Sequence, residues 1–247
     1  MNIKVPHIIG KTRIRKLNDG SYILVRRNQE AEAWLDNHLE REGNNLIWYP
    51  SIKERYKYKE LGGKYKDLPC YFIGKGPSLD NLKREFFSAS DVPIFCINDS
   101  IHKIESFDLP NPVYMMQLDQ ARESQCQPKR AAVILPQELQ SYYLDLEHRY
   151  IVKKKDFGIC CNGAPTIVFA IALAQYMGIF DYIFIAFDAM QGGLGHNATC
   201  TKTTYRGDQT ATYIRQFGQV KRQIVDANAV FVMPTEKGYE RWTYQKQ

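Results

Sequence analysis

The residues best suited to chemistry gather after short apolar runs. Gly74-Lys75-Gly76-Pro77-Ser78 follows Tyr71-Phe72-Ile73 and precedes a helical pattern. Glycine lets backbone approach a ligand closely. A helix N-terminus offers free N–H groups and the positive end of a dipole to an anion, and Ser78 is suited to cap that helix. The spacing matches neither the Walker loop nor the dinucleotide fingerprint. A tight turn before a helix would use the same residues.

A second glycine turn, Cys161-Asn162-Gly163-Ala164-Pro165-Thr166, opens the longest apolar helical pattern. Locally, Asn162 as cap and Pro165 in the first turn account for it. Asn98, Asp99, Gln117, Asp119 and Asp188 follow other apolar runs. His196 lies in Gly192-Gly193-Leu194-Gly195-His196-Asn197. A histidine titrates near neutrality and suits a general base, and a glycine-rich stretch suits a loop that closes over substrate. An exposed loop histidine without a role has the same setting. His7, His38, His102 and His148 follow no such run and read as structural.

A leaving diphosphate must be neutralised. Asp-x-Asp with a metal is one solution. The sequence has no such motif, and Asp145-Leu146-Glu147 is the nearest match. Lys75, Lys202, Arg206 and Arg215 could serve instead. The six cysteines form no C-x-x-C pair, which argues against zinc and fits a reducing, cytoplasmic setting. No apolar stretch reaches membrane-span length.

The net charge of +6 is uneven, with 14 Lys/Arg against 9 Asp/Glu in residues 1–68. Arg55-Tyr56-Lys57-Tyr58-Lys59 interleaves cations with aromatics. That composition suits a surface that tracks a nucleic-acid backbone and stacks bases. A solvated basic linker has the same composition.

These residues must be held by regular elements. Residues 11–27 predict a β-hairpin turning at Asn18-Asp19-Gly20. Gln29 to Glu42 predicts an amphipathic helix stopped by Gly43. Residues 50–68 read as a linker or mobile segment. From Pro69 the pattern changes. Strands are expected at 71–73, 93–97, 113–116, 131–135, 182–187 and 229–233, with helices near 79–87, 166–177 and 210–226. Continuous apolar strands between helices imply a mostly parallel sheet covered on both faces. In such sheets ligands bind beyond the carboxyl ends of the strands. The expected fold class is therefore α/β: a domain at 69–247 after a basic α+β extension at 1–68.

The pieces Ile73 to Leu79 (IGKGPSL), Phe95 to Asn98 (FCIN) and Ile171 to Asp188 (IALAQYMGIFDYIFIAFD) resemble the bacterial sialyltransferase superfamily. They also resemble the related MptE-like pterin diphosphokinase and flagellar accessory glycosyltransferase group. The resemblance spans roughly residues 70–235. It implies a Rossmann-like sheet, described as a GT-A-like variant, and a nucleotide-sugar donor without an obligatory metal. Gly74, Gly76, Pro77 and Ser78 would then line the donor phosphate and sugar, with Lys75 replacing the usual small polar residue. Asn98 would contact the nucleotide, and Asn162, Gly163 and Thr166 would form a second wall. Asp119 adds a strand-end carboxylate, and His196 or Asp188 would be the base. The expected activity is sugar transfer to a hydroxyl acceptor, either a modified DNA base or a glycan. The alternatives are a pterin or nucleotide diphosphokinase and a binding module without chemistry.

Overall fold

The computed structural model describes residues 14–16, 22–24, 39–42, 45–48, 57–118, 128–136, 148–158, 165–191, 198 and 210–243. The chain divides into two compact units, Met1–Lys57 and Tyr58–Gln247.

In the first unit, β1 (Ile14–Lys16) pairs antiparallel with β2 (Tyr22–Leu24), Ile14 opposite Leu24, as the hairpin reading requires. The helix expected through Glu42 is not formed over its last four residues. Leu39–Glu42 is a strand, β3, paired antiparallel with β4 (Asn45–Trp48). Helix propensity is a weak prior, and strand pairing with the β-favouring run Leu46-Ile47-Trp48 overrides it. Residues 29–38 lie outside the described residues.

The second unit is built on an eight-stranded sheet. Its strands are β5 (Pro69–Ile73), β6 (Ile94–Ile97), β7 (Val113–Met116), β8 (Ala132–Pro136), β9 (Arg149–Val152), β10 (Asp181–Ile185), β11 (Asn228–Thr235) and β12 (Gly238–Thr243). The order across the sheet is β12-β11-β10-β5-β6-β7-β8-β9. Neighbours are parallel, except that β12 runs antiparallel to β11. The α/β class with a mostly parallel sheet is thus observed. Two strands of this sheet have no counterpart in the sequence reading, β9 and β12, and both lie at its edges.

Successive strand residues point to opposite faces. Cys70 and Phe72 enter one core, Tyr71 and Ile73 the other. The first core is covered by α2 (Thr166–Tyr176) and α3 (Thr210–Gln223), with Phe217 and Val220 of α3 and Ile224 directly after it buried there. The second is covered by the short helix α1 (Ile101–Glu105) and two 3-10 turns, Pro77–Asn81 and Arg84–Phe86. The α-helix expected at 79–87 is replaced by those turns. Leu82 and Lys83 between them are extended, and Leu79 and Leu82, three apart, both insert into the core.

Helix α2 is buried over most of its circumference, from Thr166 to Ala174. A helix apolar all round belongs inside a protein. It ends as expected at Gly178, which takes φ +85°. Its C-terminal carbonyls are bonded by the segment expected to be a linker. Gly63, Tyr65 and Asp67 donate backbone N–H groups to the carbonyls of Tyr176, Met177 and Gly178. Tyr58, Leu61 and Tyr65 are buried in the same core. The compact unit therefore begins at Tyr58 rather than Pro69. Among the described residues no helix is long and apolar enough to cross a membrane.

Candidate functional site

The chain runs outward from β5 to β9, then returns to place β10 on the other side of β5. The connection after β5 passes over the second core, and the one after β10 passes over the first. Two adjacent parallel strands whose connections diverge leave a crevice at their carboxyl ends. Gly74–Ser78 and Asp188 stand on its two sides.

The glycine loop spends its hydrogen bonds on the protein itself. Gly74 N–H donates to the Ile185 carbonyl (2.8 Å) and Gly76 N–H to the Ala186 carbonyl (2.9 Å). Ser78 N–H donates to Asp188 Oδ1 (3.3 Å), and Ser78 Oγ to Asp188 Oδ2 (2.9 Å). The 3-10 turn that follows starts at Gly76 without a side-chain cap, so Ser78 is not the cap its sequence suggested. A Cβ on Gly76 would overlap the Asp188 carboxylate, and one on Gly74 would overlap the Ala186 carbonyl. Close approach does explain both glycines, but the group that approaches is the β10 end of the same chain.

Ala186 takes φ +58°, unusual for a residue with a Cβ. That conformation turns the chain directly after β10, where its carbonyl meets Gly76 N–H. Asp188 is buried and begins a short 3-10 turn, Asp188–Gln191. Nothing local in the sequence marks Ala186 as special.

The neighbouring strand ends carry a row of buried polar groups. Lys75 Nζ lies 3.3 Å from Asp99 Oδ1, and both side chains are almost wholly buried. The Lys75 carbonyl accepts from Ala198 N–H (2.7 Å). Asn98 follows β6 with φ +52°, a region where Asn is enriched. It is 8% exposed, and its Oδ1 is buried with no hydrogen-bond partner among the described residues. A buried acceptor left unmatched costs about 1–3 kcal/mol, so its retention calls for an explanation. Ser100 is buried and donates to the Ile73 carbonyl (3.0 Å), tying the end of β5 to the chain after β6. Gln117, after β7, is also buried. Thr166 is buried as the first residue of α2, preceded directly by Pro165 as the cap residue. The end of α2 is bonded by residues that lead into β5 and is followed by the start of β10, so its N-terminus points toward the carboxyl edge of the sheet.

The sheet therefore brings together Gly74, Lys75, Gly76, Pro77, Ser78, Asn98 and Asp188, with Thr166 on the same edge. Asp119, Asn162, Gly163, His196, Arg55 and Tyr56 lie outside the described residues. Of the Lys/Tyr segment, Tyr58 is buried, donates to Asp156 Oδ2 (2.6 Å) and packs against Phe157 and Tyr176. Its ring is thereby withdrawn from base stacking. Lys59 is exposed and Lys57 half-buried.

Sequence reasoning missed an open cleft of about 570 Å³ beside the crevice. Ser78 and Asn81 form one side; the end of β11 and the turn into β12 form the other. The only available signal was the Glu236-Lys237-Gly238 turn between two short β-favouring runs. Among the described residues no group of three or more His, Cys, Asp or Glu side chains is placed to hold a metal ion.

Comparison with protein-family models, with curated proteins and with solved structures found no match.

Proposed function

We propose that this protein is a glycosyltransferase that takes its sugar from a nucleotide-sugar bound at the carboxyl ends of β5, β6 and β10. The observation that carries this reading is the buried Oδ1 of Asn98 beside the crevice, which has no hydrogen-bond partner among the described residues. A nucleoside N–H or hydroxyl would satisfy it. The resemblance of the pieces at 73–79, 95–98 and 171–188 to the sialyltransferase superfamily points to the same choice, although the related pterin diphosphokinase group shares it.

The donor diphosphate belongs at the N-terminus of α2 rather than on the glycine loop. Gly76 and Ser78 amides already serve Ala186 and Asp188, whereas a helix start at the sheet edge favours an anion. Lys75 adds positive charge nearby, while Asp99 holds it in place. Asp188 acts as a positioning residue, fixing the loop through Ser78. His196 then remains as the base. The acceptor oxygen attacks the anomeric carbon, the bond from that carbon to the diphosphate oxygen breaks, and the acceptor proton passes to the imidazole. The nucleoside diphosphate leaves.

The test is a thermal-shift screen with UDP, GDP, CMP, ADP and their sugar conjugates. A ligand that binds only the folded state stabilises it by about 2.7 kcal/mol at a hundredfold excess over Kd. One nucleotide family should raise the melting temperature, and Asn98→Gly should abolish the shift, because glycine keeps the left-handed backbone and removes the amide. A flat response to every nucleotide sinks the proposal. Magnesium-dependent turnover of ATP would replace it with a diphosphokinase.

A further inference from the structure

The positive charge of the chain is concentrated in one hairpin. Residues 11–27 hold six Lys/Arg, at Lys11, Arg13, Arg15, Lys16, Arg26 and Arg27, against Asp19 alone. That is +5 of the net +6, and the other 230 residues balance 27 Lys/Arg with 26 Asp/Glu. The imbalance is local even within the first unit, where residues 28–57 carry four Lys/Arg against six Asp/Glu. A charge run is commonly just a solvated face, so the fold has to say more than the count.

The fold gathers these charges rather than spreading them. β1 and β2 pair antiparallel, from Ile14 opposite Leu24 to Lys16 opposite Tyr22. The cations that precede Ile14 and those that follow Leu24 thus belong to the same end of the ribbon. Arg15 and Lys16, consecutive in β1, fall on opposite faces. Like charges held together repel one another and cost stability. An anionic partner offsets that cost, and one that meets both faces offsets more of it than a flat one. The major groove of B-form DNA, about 12 Å wide, admits a two-stranded β-ribbon, and it runs between two rows of phosphates. A charged lipid surface meets one face only. The major groove of double-stranded RNA is too deep and narrow for side chains to enter.

We infer that the β1–β2 hairpin is a DNA-binding ribbon, its cations set against the phosphate backbone of a duplex. This binding does not rest on the transferase reading of the other unit.

Fluorescence anisotropy of the full chain with a labelled DNA duplex tests it, over about 50–200 mM salt. The dissociation constant should rise steeply with salt. Each phosphate contact contributes about 0.9 to the slope of log affinity against log salt. Arg15→Gln/Lys16→Gln should therefore lower that slope by about 2 and weaken binding about tenfold. Arg26→Gln/Arg27→Gln, which leaves both strands untouched, should act in the same direction, so the outcome does not depend on how β1 tolerates substitution. Lys221→Gln/Arg222→Gln removes the same charge from the exposed end of α3 and should leave the slope as it is. The inference is overturned if the duplex does not bind at the low end of the salt range, if neither hairpin variant lowers the slope, or if the α3 variant lowers it equally. Tighter binding to double-stranded RNA or to phosphatidylserine vesicles than to the DNA overturns it as well.

Discussion

Ser78 and Asp188 close a two-bond ring, backbone N–H to Oδ1 over 3.3 Å and side-chain hydroxyl to Oδ2 over 2.9 Å, across 110 positions of sequence. The ring ties the connection leaving β5 to the one leaving β10. The two strands at which the sheet reverses direction are thereby locked at their outer ends.

Gly76→Ala should therefore destabilise the protein without any ligand present. The added methyl meets the Asp188 carboxylate and the Ala186 carbonyl. Overpacking of this kind costs about 1–3 kcal/mol, readable as a lower urea midpoint. Combining it with Asp188→Ala should cost less than the sum of the two single changes, because the carboxylate is one of the two obstacles. Unchanged apo stability in Gly76→Ala would mean that the glycine serves a ligand after all.

Lys75 and Asp99 are a buried ion pair on the floor of the same region. Breaking such a pair on one side leaves a charge in a poor solvent, at about 3–5 kcal/mol. Asp99→Leu should approach that cost in chemical denaturation. Lys75→Met/Asp99→Leu should recover much of it, since no uncompensated charge remains. Equal losses in the single and double variants would show that the ion pair has no part in the effect.

Alkaline pH should weaken the fold. Burial pushes the Tyr114 hydroxyl well above its ordinary value of 10.0, and its hydrogen bond with Tyr65 adds to the shift. Burial acts likewise on Tyr182 and on the Cys70 and Cys96 thiols. The folded state then keeps protons that the unfolded chain has released, so stability falls as pH rises past the unfolded values. Each such group contributes a slope of up to about 1.4 kcal/mol per pH unit. Tyr114→Phe should flatten the decline above pH 10.0 in urea titrations. An unaltered slope would show that Tyr114 is not among the responsible groups.

Tyr58→Phe separates structure from nucleic-acid contact. It removes the 2.6 Å bond to Asp156, whose carboxylate is exposed, and should cost about 1 kcal/mol. Duplex affinity and its salt dependence should not change. Weaker duplex binding with intact stability would return this segment to a nucleic-acid surface.

Much of the sheet was legible because its inner strands are unbroken apolar runs. Tyr71-Phe72-Ile73 and Tyr182-Ile183-Phe184-Ile185 have no other comfortable place than a core buried on both faces. Edge strands lack that signature. In β12 the residues Tyr239, Glu240 and Arg241 are exposed, and nothing in their order demands a strand. Residues 57–68 misled for a different reason. Lys and Tyr suggested a surface, while Tyr58, Leu61 and Tyr65, spaced by three and four, mark a buried stripe. At the site, the glycines correctly signalled a close approach. The approaching group could not be read, because contact between Gly76 and the chain after β10 depends on strand order.

The backbone bonds from Gly63, Tyr65 and Asp67 to the end of α2 also bear on synthesis. That stretch leaves the ribosome about a hundred residues before the helix it seals. Until then Tyr58, Leu61 and Tyr65 have nowhere to bury themselves. A nascent or truncated chain stopping before α2 is thus exposed to aggregation, and a fragment starting at Pro69 has the complementary defect, a helix terminus with open carbonyls over a core stripped of its cover.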